Sequence, residues 1–358
     1  MFVLVIKSRG DVMKSIFKPV FTSAVLALAA VGMAQAAALT VVNFGGANGA
    51  AQKVAYIDPY AKASGDKITV VEFNGELAKV KAMVEAKKVS WDAVEVDAGD
   101  IGRACEEGLL EKIDFSKIGN KADFNPAAIH ECGVGAFVWS TVLAYDADKL
   151  KSAPKSWADF WDTKKFPGKR ALKKGAQNNL EFALMADGVA PKDVYKLLGS
   201  KAGVDRAFKK LDELKPSIQW WEAGAQPPQF LVAGDVVMSS AFNGRIDAAQ
   251  REGKNLKVSW TGSIYTLDFW VIPKGSPNKA DAEKFVAFAS KPESQKAYAS
   301  NISYGPVNNQ ALKLLDPKVL ANLPTSPTNA KDALALSQSF WTDHGEELEQ
   351  RFTAWAAK

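Results

Sequence analysis

Asp268 stands alone as an acid in the stretch "SIYTLDFWVIP", among Ile264, Tyr265, Leu267, Phe269, Trp270, Val271 and Ile272. Those neighbours favour a pleated, largely buried strand. An ionised carboxylate there is costly unless a cation or several donors meet it; the plainer alternative is a strand end where Asp268 caps a loop. Residues suited to bond-making chemistry are sparse elsewhere. The two histidines, His130 and His344, lie far apart in no metal-binding spacing, and neither Cys105 nor Cys132 has the surroundings of a nucleophile. There is no G-x-S-x-G and no phosphate-cradling G-x-x-x-x-G-K-[ST]. The turn in "NFGGANGAAQ" lacks the G-x-G-x-x-G register, which leaves a backbone anion nest or an ordinary tight turn. Scattered carboxylates form no ligand cluster, so neither metal nor cofactor is expected. The residue types point to binding rather than turnover.

The elements that would position Asp268 can be read from the chain. Residues 1–38 read as a leader. Lys14 and Lys18 precede the apolar run "VFTSAVLALAAVGM", and "AQAAA" supplies small residues for cleavage, with Met13 a natural start. The apolar run is too short to span a bilayer comfortably. The protein is therefore expected to be exported to the periplasm. Of the 358 residues, roughly 320 remain, enough for two packed domains. Much of the formal charge of +5 belongs to the leader, which carries Lys7, Arg9, Lys14 and Lys18 against Asp11. No block of like charges appears, so nucleic acid and anionic membrane are poor partners. In an oxidising compartment Cys105 and Cys132 are expected to form a disulfide. The mature chain then alternates strand and helix: "LTVVN", "KITVVEFNG" and "WDAVEVDAGD" are strands, each followed by a helix. This alternation predicts an α/β fold with a parallel sheet flanked by helices.

A run of landmarks carries a family likeness: "WDAVEVDAGDIGRACEEGLLEKID", "VWSTVLAYDADKL", "SWADFWDTKKFPGKRAL", "FNGRIDAAQREG", "DFWVIPKGSPNKADAEKFVAFASKPE" and "ISYGPVNNQA". Their order and spacing resemble the spermidine/putrescine-type periplasmic binding proteins of ABC importers over nearly all of the mature sequence. The resemblance implies a two-lobe, type II periplasmic-binding fold, each lobe a mostly parallel sheet flanked by helices, with a ligand cleft between lobes. We expect lobe 1 over residues 39–142 plus 269–312 and lobe 2 over 143–268 plus 313–358. It also implies a monomer that catalyses nothing and whose closed form meets a permease in the inner membrane.

On that likeness Asp268 falls at the position of a carboxylate that receives an ammonium group. Trp221, Phe242, Trp270 and Tyr304 would add aromatic walls worth about 0.5–2 kcal/mol each, unless they are simply core. Phe44 in the first loop and Asp97 after the third strand are further candidates, Asp97 with a helix N-cap role as its alternative. Two departures bear on the ligand. Where a second acidic cluster is expected, Gly175, Gln177, Asn178 and Asn179 stand instead. Arg245, after "FNG", occupies a place where a small residue is common, and invites a bidentate carboxylate or else pairs with Asp268. The family favours a polyamine such as putrescine or spermidine. Arg245 favours a zwitterion such as 4-aminobutyrate, because a polycation would meet it with like charge in a low-dielectric cleft. An organic anion or a metal chelate is a third reading.

Overall fold

The computed structural model describes residues 38–358, so the expected leader lies outside the described residues. The first three strands are β1 (Ala38–Asn43), β2 (Lys67–Glu72) and β3 (Ala93–Asp97). β1 pairs in parallel with both others. Helical crossovers separate them, as parallel neighbours require. After the short β4 (Ile129–His130) comes the fourteen-residue β5 (Gly133–Asp146), buried along its whole length. The chain continues through β6 (Arg170–Lys173), β7 (Ile218–Trp221) and β8 (Met238–Phe242) to the sixteen-residue β9 (Leu256–Val271). A final short strand, β10 (Leu334–Ala335), adds to β9.

One sheet runs through the molecule in the order β2-β1-β3-β9-β5-β8-β6-β7. Its flanks are parallel; its centre, where β9 meets β3 and β5, and β5 meets β8, is antiparallel. The fold is the mixed α/β architecture expected, and β5 and β9 are the segments that pass from one half to the other. The hydrophobic clusters change along these strands. Trp139 packs with Phe137 and Leu267 in one cluster, whereas Leu143 and Ile264 pack with Trp157 and Phe182 in another. Just past residue 312, Leu315 and Leu323 pack on Ala299.

The sequence suggests "LKVSW" and "TLDFWV" as separate strands, yet they form a single strand with an irregularity. Thr141 of β5 pairs with Ile264, and Leu143 with Ser259, so residues 260–263 of β9 stand opposite Val142 alone, an excess of three residues. Gly262 makes this possible, with φ at +70° and a Cβ position that would lie 2.8 Å from Trp157. Its carbonyl accepts from Trp157 Nε1 at 2.8 Å, and its N–H donates to Asp332 O at 3.1 Å. The bulge is thus anchored, not loose.

Cys105 and Cys132 form a disulfide that ties the end of the Ala98–Glu106 helix to the entry of β5.

A second buried acid lies away from these central strands. Glu181, in the helix Asn179–Ala186, is fully enclosed and accepts from Trp341 Nε1 at 2.8 Å and Tyr195 Oη at 3.1 Å. Burial outweighs these bonds and pushes its carboxyl up from 4.5 to about 7. The folded state therefore holds a proton that the unfolded state releases. The associated stability is full below about pH 4.5 and is lost as pH rises through about 7. Glu181→Gln keeps the oxygen that Trp341 and Tyr195 address but cannot ionise. Its melting temperature should gain on the wild type between pH 5 and 8, by up to about 3 kcal/mol of stability. A constant difference across that range would place the titration elsewhere.

Candidate functional site

A cavity of about 60 Å³ lies where β3, β5 and β9 meet the start of the Asn243–Arg251 helix. By the yardstick of about 10–15 Å³ per water it holds only a few waters, so its contents must be small. Asp268, Arg245, Phe44, Phe242, Tyr304 and Asp97 all line it.

Asp268 sits within β9, opposite Asp97 on β3 and Phe137 on β5, and is not a strand-end cap. Its carboxylate accepts from Trp139 Nε1 at 2.5 Å. Burial first, then the charges of Asp97 and Glu95, hold its carboxyl well above the ordinary range.

Arg245 is nearly enclosed, at 7% exposure. Its Nη2 donates to Phe44 O at 3.3 Å, while Nε and Nη1 are buried without a partner. It forms no ion pair with Asp268 or any other acid among the described residues. Gly46 makes room for it: φ there is +53°, and a Cβ would fall 2.4 Å from Nη1. Any other residue at position 46 would be strained and would displace the guanidinium.

The walls are aromatic. Tyr304 stacks on Phe137 with centroids 5.0 Å apart, Phe242 meets Trp139 edge-on at 4.8 Å, and Phe44 stacks on Phe73 at 5.1 Å. Lys173 Nζ lies 5.7 Å above the Phe242 ring.

The other proposed site residues lie behind or beside the cavity. Trp221 is fully buried, donating to Ser240 Oγ and backing Phe242 edge-on at 5.2 Å. Trp270 is two residues from Asp268 on the same sheet face, but it is covered by Phe285 of the Lys279–Ala289 helix and belongs to the core. Asn178 reaches Thr141 Oγ1 at 3.5 Å, and Asn179 braces its own loop through the carbonyls of Lys173 and Gly175. Gln177 faces a neighbouring groove against the C-terminal helix Gln338–Ala356, whose Glu349 accepts from the N–H groups of Ala176 and Gln177. Asp97 occupies the N-cap position of the Ala98–Glu106 helix without making the cap bond. Beside it, burial and the Asp97 charge lift Asp100 to about 6.

Sequence reading missed Glu95, Trp139, Asn48 and Lys173, which also line the cavity. Glu95 had a findable signal. It lies in "AVEVD", the third strand of a parallel sheet expected to carry helices on both faces, and a strand covered on both faces has no solvent side. Among the described residues no group of His, Cys, Asp and Glu could hold a metal ion, and no helix is long and apolar enough to cross a membrane.

Two α/β halves joined by shared strands, with a small charged cavity at the junction, are the construction of a solute receptor. The chain belongs to the bacterial extracellular solute-binding proteins, whose family pattern matches residues 55–328. It is 56% identical over 333 residues to the gamma-aminobutyric acid-binding protein of Pseudomonas aeruginosa, covering 93% of this chain and 95% of that one. It is 24% identical to the spermidine/putrescine-binding periplasmic protein of Salmonella typhimurium, covering 80% of this chain and 82% of the relative. Among solved structures, a GABA receptor superposes with a TM-score of 0.79 at 37% identity, covering 89% of this chain and 98% of that one. The resemblance read from the sequence landmarks thus holds at the level of the family.

Proposed function

We propose that this protein is the periplasmic receptor of an ABC importer and captures a short ω-amino acid, of which 4-aminobutyrate is the simplest. The observation that carries the ligand class is Arg245, a buried guanidinium with two N–H directions unused beside a small cavity. Unpaired buried donors are costly, and a ligand carboxylate satisfies them with charge-assisted bonds. The ammonium end turns to Asp268 and Glu95, within the ring of Trp139, Phe137 and Tyr304. A diamine would set its second ammonium against Arg245, and the long chain of spermidine suits a cavity of about 60 Å³ poorly. The name of the relative at 56% identity, a gamma-aminobutyric acid-binding protein, supports the same ligand. The permease that receives the loaded form, and export through the leader, follow from the family role.

The test is thermal melting against 4-aminobutyrate, putrescine, spermidine and a dicarboxylate. A ligand at 100 times its dissociation constant adds about 2.7 kcal/mol, a rise of several degrees. We expect that rise with 4-aminobutyrate. Stabilisation by putrescine or spermidine and none by 4-aminobutyrate would replace this reading with the polyamine one.

A further inference from the structure

Glu95 and Asp268 form a chemical unit. Glu95 lies in mid-β3 with no exposure at all, and its oxygens accept from Asn48 Nδ2 at 2.8 Å and Gln52 Nε2 at 2.6 Å. Asn48 is itself fixed by Tyr298, whose hydroxyl donates to Asn48 Oδ1 at 2.5 Å. One strand over, Asp268 has a single donor, the Trp139 indole. Asp97 pairs with Asp268 and Glu95 with Trp270, so Glu95 and Asp268 stand diagonally on one face of adjacent strands; both are buried, both line the cavity, and neither makes an ion pair among the described residues. Two carboxylates side by side and away from water resist ionising together, which favours one proton held by the pair. Donor counting places it. Glu95, with two amide donors, carries the charge, and Asp268, with one, carries the proton.

We propose that this shared proton occupies the place of the ligand's ammonium, and that capture of the amine expels it, so that binding one ω-amino acid releases one proton to solvent. The inference rests on the amine-and-carboxylate reading above. Before capture the pair and its proton carry one negative charge. After capture the pair and the ammonium carry the same charge, and the ligand carboxylate is met by Arg245. The proton passes from the Asp268 carboxyl to buffer, and no bond other than O–H is broken. The groups facing the pair are Asp97 on β3, Arg245 from the Asn243–Arg251 helix, Tyr56, Tyr298 and Tyr304. Lys173 and Glu222 line the same cavity from the opposite half. Burial holds both carboxyls above their usual range, which keeps the proton in place in the empty cleft.

Calorimetric titration of the wild type with 4-aminobutyrate near neutral pH, in buffers of different ionisation heat, should give close to one proton released per ligand. The affinity should tighten by up to tenfold per unit of rising pH. Asp268→Asn, which cannot supply the proton, should bind more weakly with no buffer dependence. Ligand-free melting of the same pair of proteins gives an independent reading. The folded state holds a proton that the unfolded state releases, so Asp268→Asn should gain on the wild type as pH rises. Titration heat that does not vary with buffer, or equal release from Asp268→Asn, overturns the proton exchange. An unchanging melting difference overturns the shared proton itself. Absence of binding heat with 4-aminobutyrate, with the melting difference present, sinks only the ligand assignment.

Discussion

Arg245→Met should weaken binding of 4-aminobutyrate by at least 100-fold while leaving the ligand-free protein as stable as before, or more so. The guanidinium is buried, yet only its Nη2 is engaged, by Phe44 O at 3.3 Å, so in the empty fold its attraction for the Glu95 charge is offset by its two unpaired donors. Removing it relieves two unsatisfied donors. The loss in the complex is that of a charge-assisted fork to a carboxylate, about 3 kcal/mol within a range of about 2–5. Arg245→Lys should fail nearly as badly, because one ammonium cannot reproduce the planar fork and would stand further from the carboxylate. Calorimetry on the two variants and the wild type decides the matter. Retention of affinity within threefold in Arg245→Met would mean that the ligand carboxylate is held elsewhere.

The second large effect is on stability. Cys105 and Cys132 close a loop with a sequence separation of 27 residues. The chain-entropy relation assigns such a loop about 3–4 kcal/mol. The double variant Cys105→Ala/Cys132→Ala should therefore melt several degrees below the wild type, and wild type treated with reductant should follow it. The bond holds the Ala98–Glu106 helix, whose first turn presents Gly99 and Asp100 to the groove beside the cavity. A modest loss of ligand affinity should accompany the loss of stability. Equal melting points with and without the bond would show that helix packing alone fixes this end of the lobe.

The parts of the site legible in the sequence were those out of keeping with their surroundings. Asp268 is an acid in an apolar strand, and Arg245 a cation at a helix mouth; both line the cavity. Trp139 was hidden because it sits in a strand whose composition already suits it; Glu95 was out of keeping with its buried strand, but only pairing across strands brings both residues to Asp268. Trp270 was drawn in by nearness in sequence, but two residues along a strand is far enough to pass from the cavity to beneath the Lys279–Ala289 helix. The alternation of strands and helices in the first hundred mature residues was readable from apolar runs and glycines. The continuity of β9 was not. "TGS" looks like a break between strands, and only the anchoring of Gly262 by Trp157 and Asp332 makes it a bulge within one strand.

The continuity of β5 and β9 has a consequence for affinity. Arg245 is carried by a helix whose Ile246 and Ala249 pack with Ala144 and Leu256, while Asp268 and Glu95 stand on the other half of the sheet. The two grips proposed for the ligand are thus tethered by unbroken strands, and each sees the other at a fixed effective concentration, which short tethers set at millimolar or above. Once the amine is held, meeting the guanidinium is an intramolecular event, a chelate closing its second arm. Substitutions at residues 260–263 would then change affinity by changing that effective concentration, without altering any atom that touches the ligand.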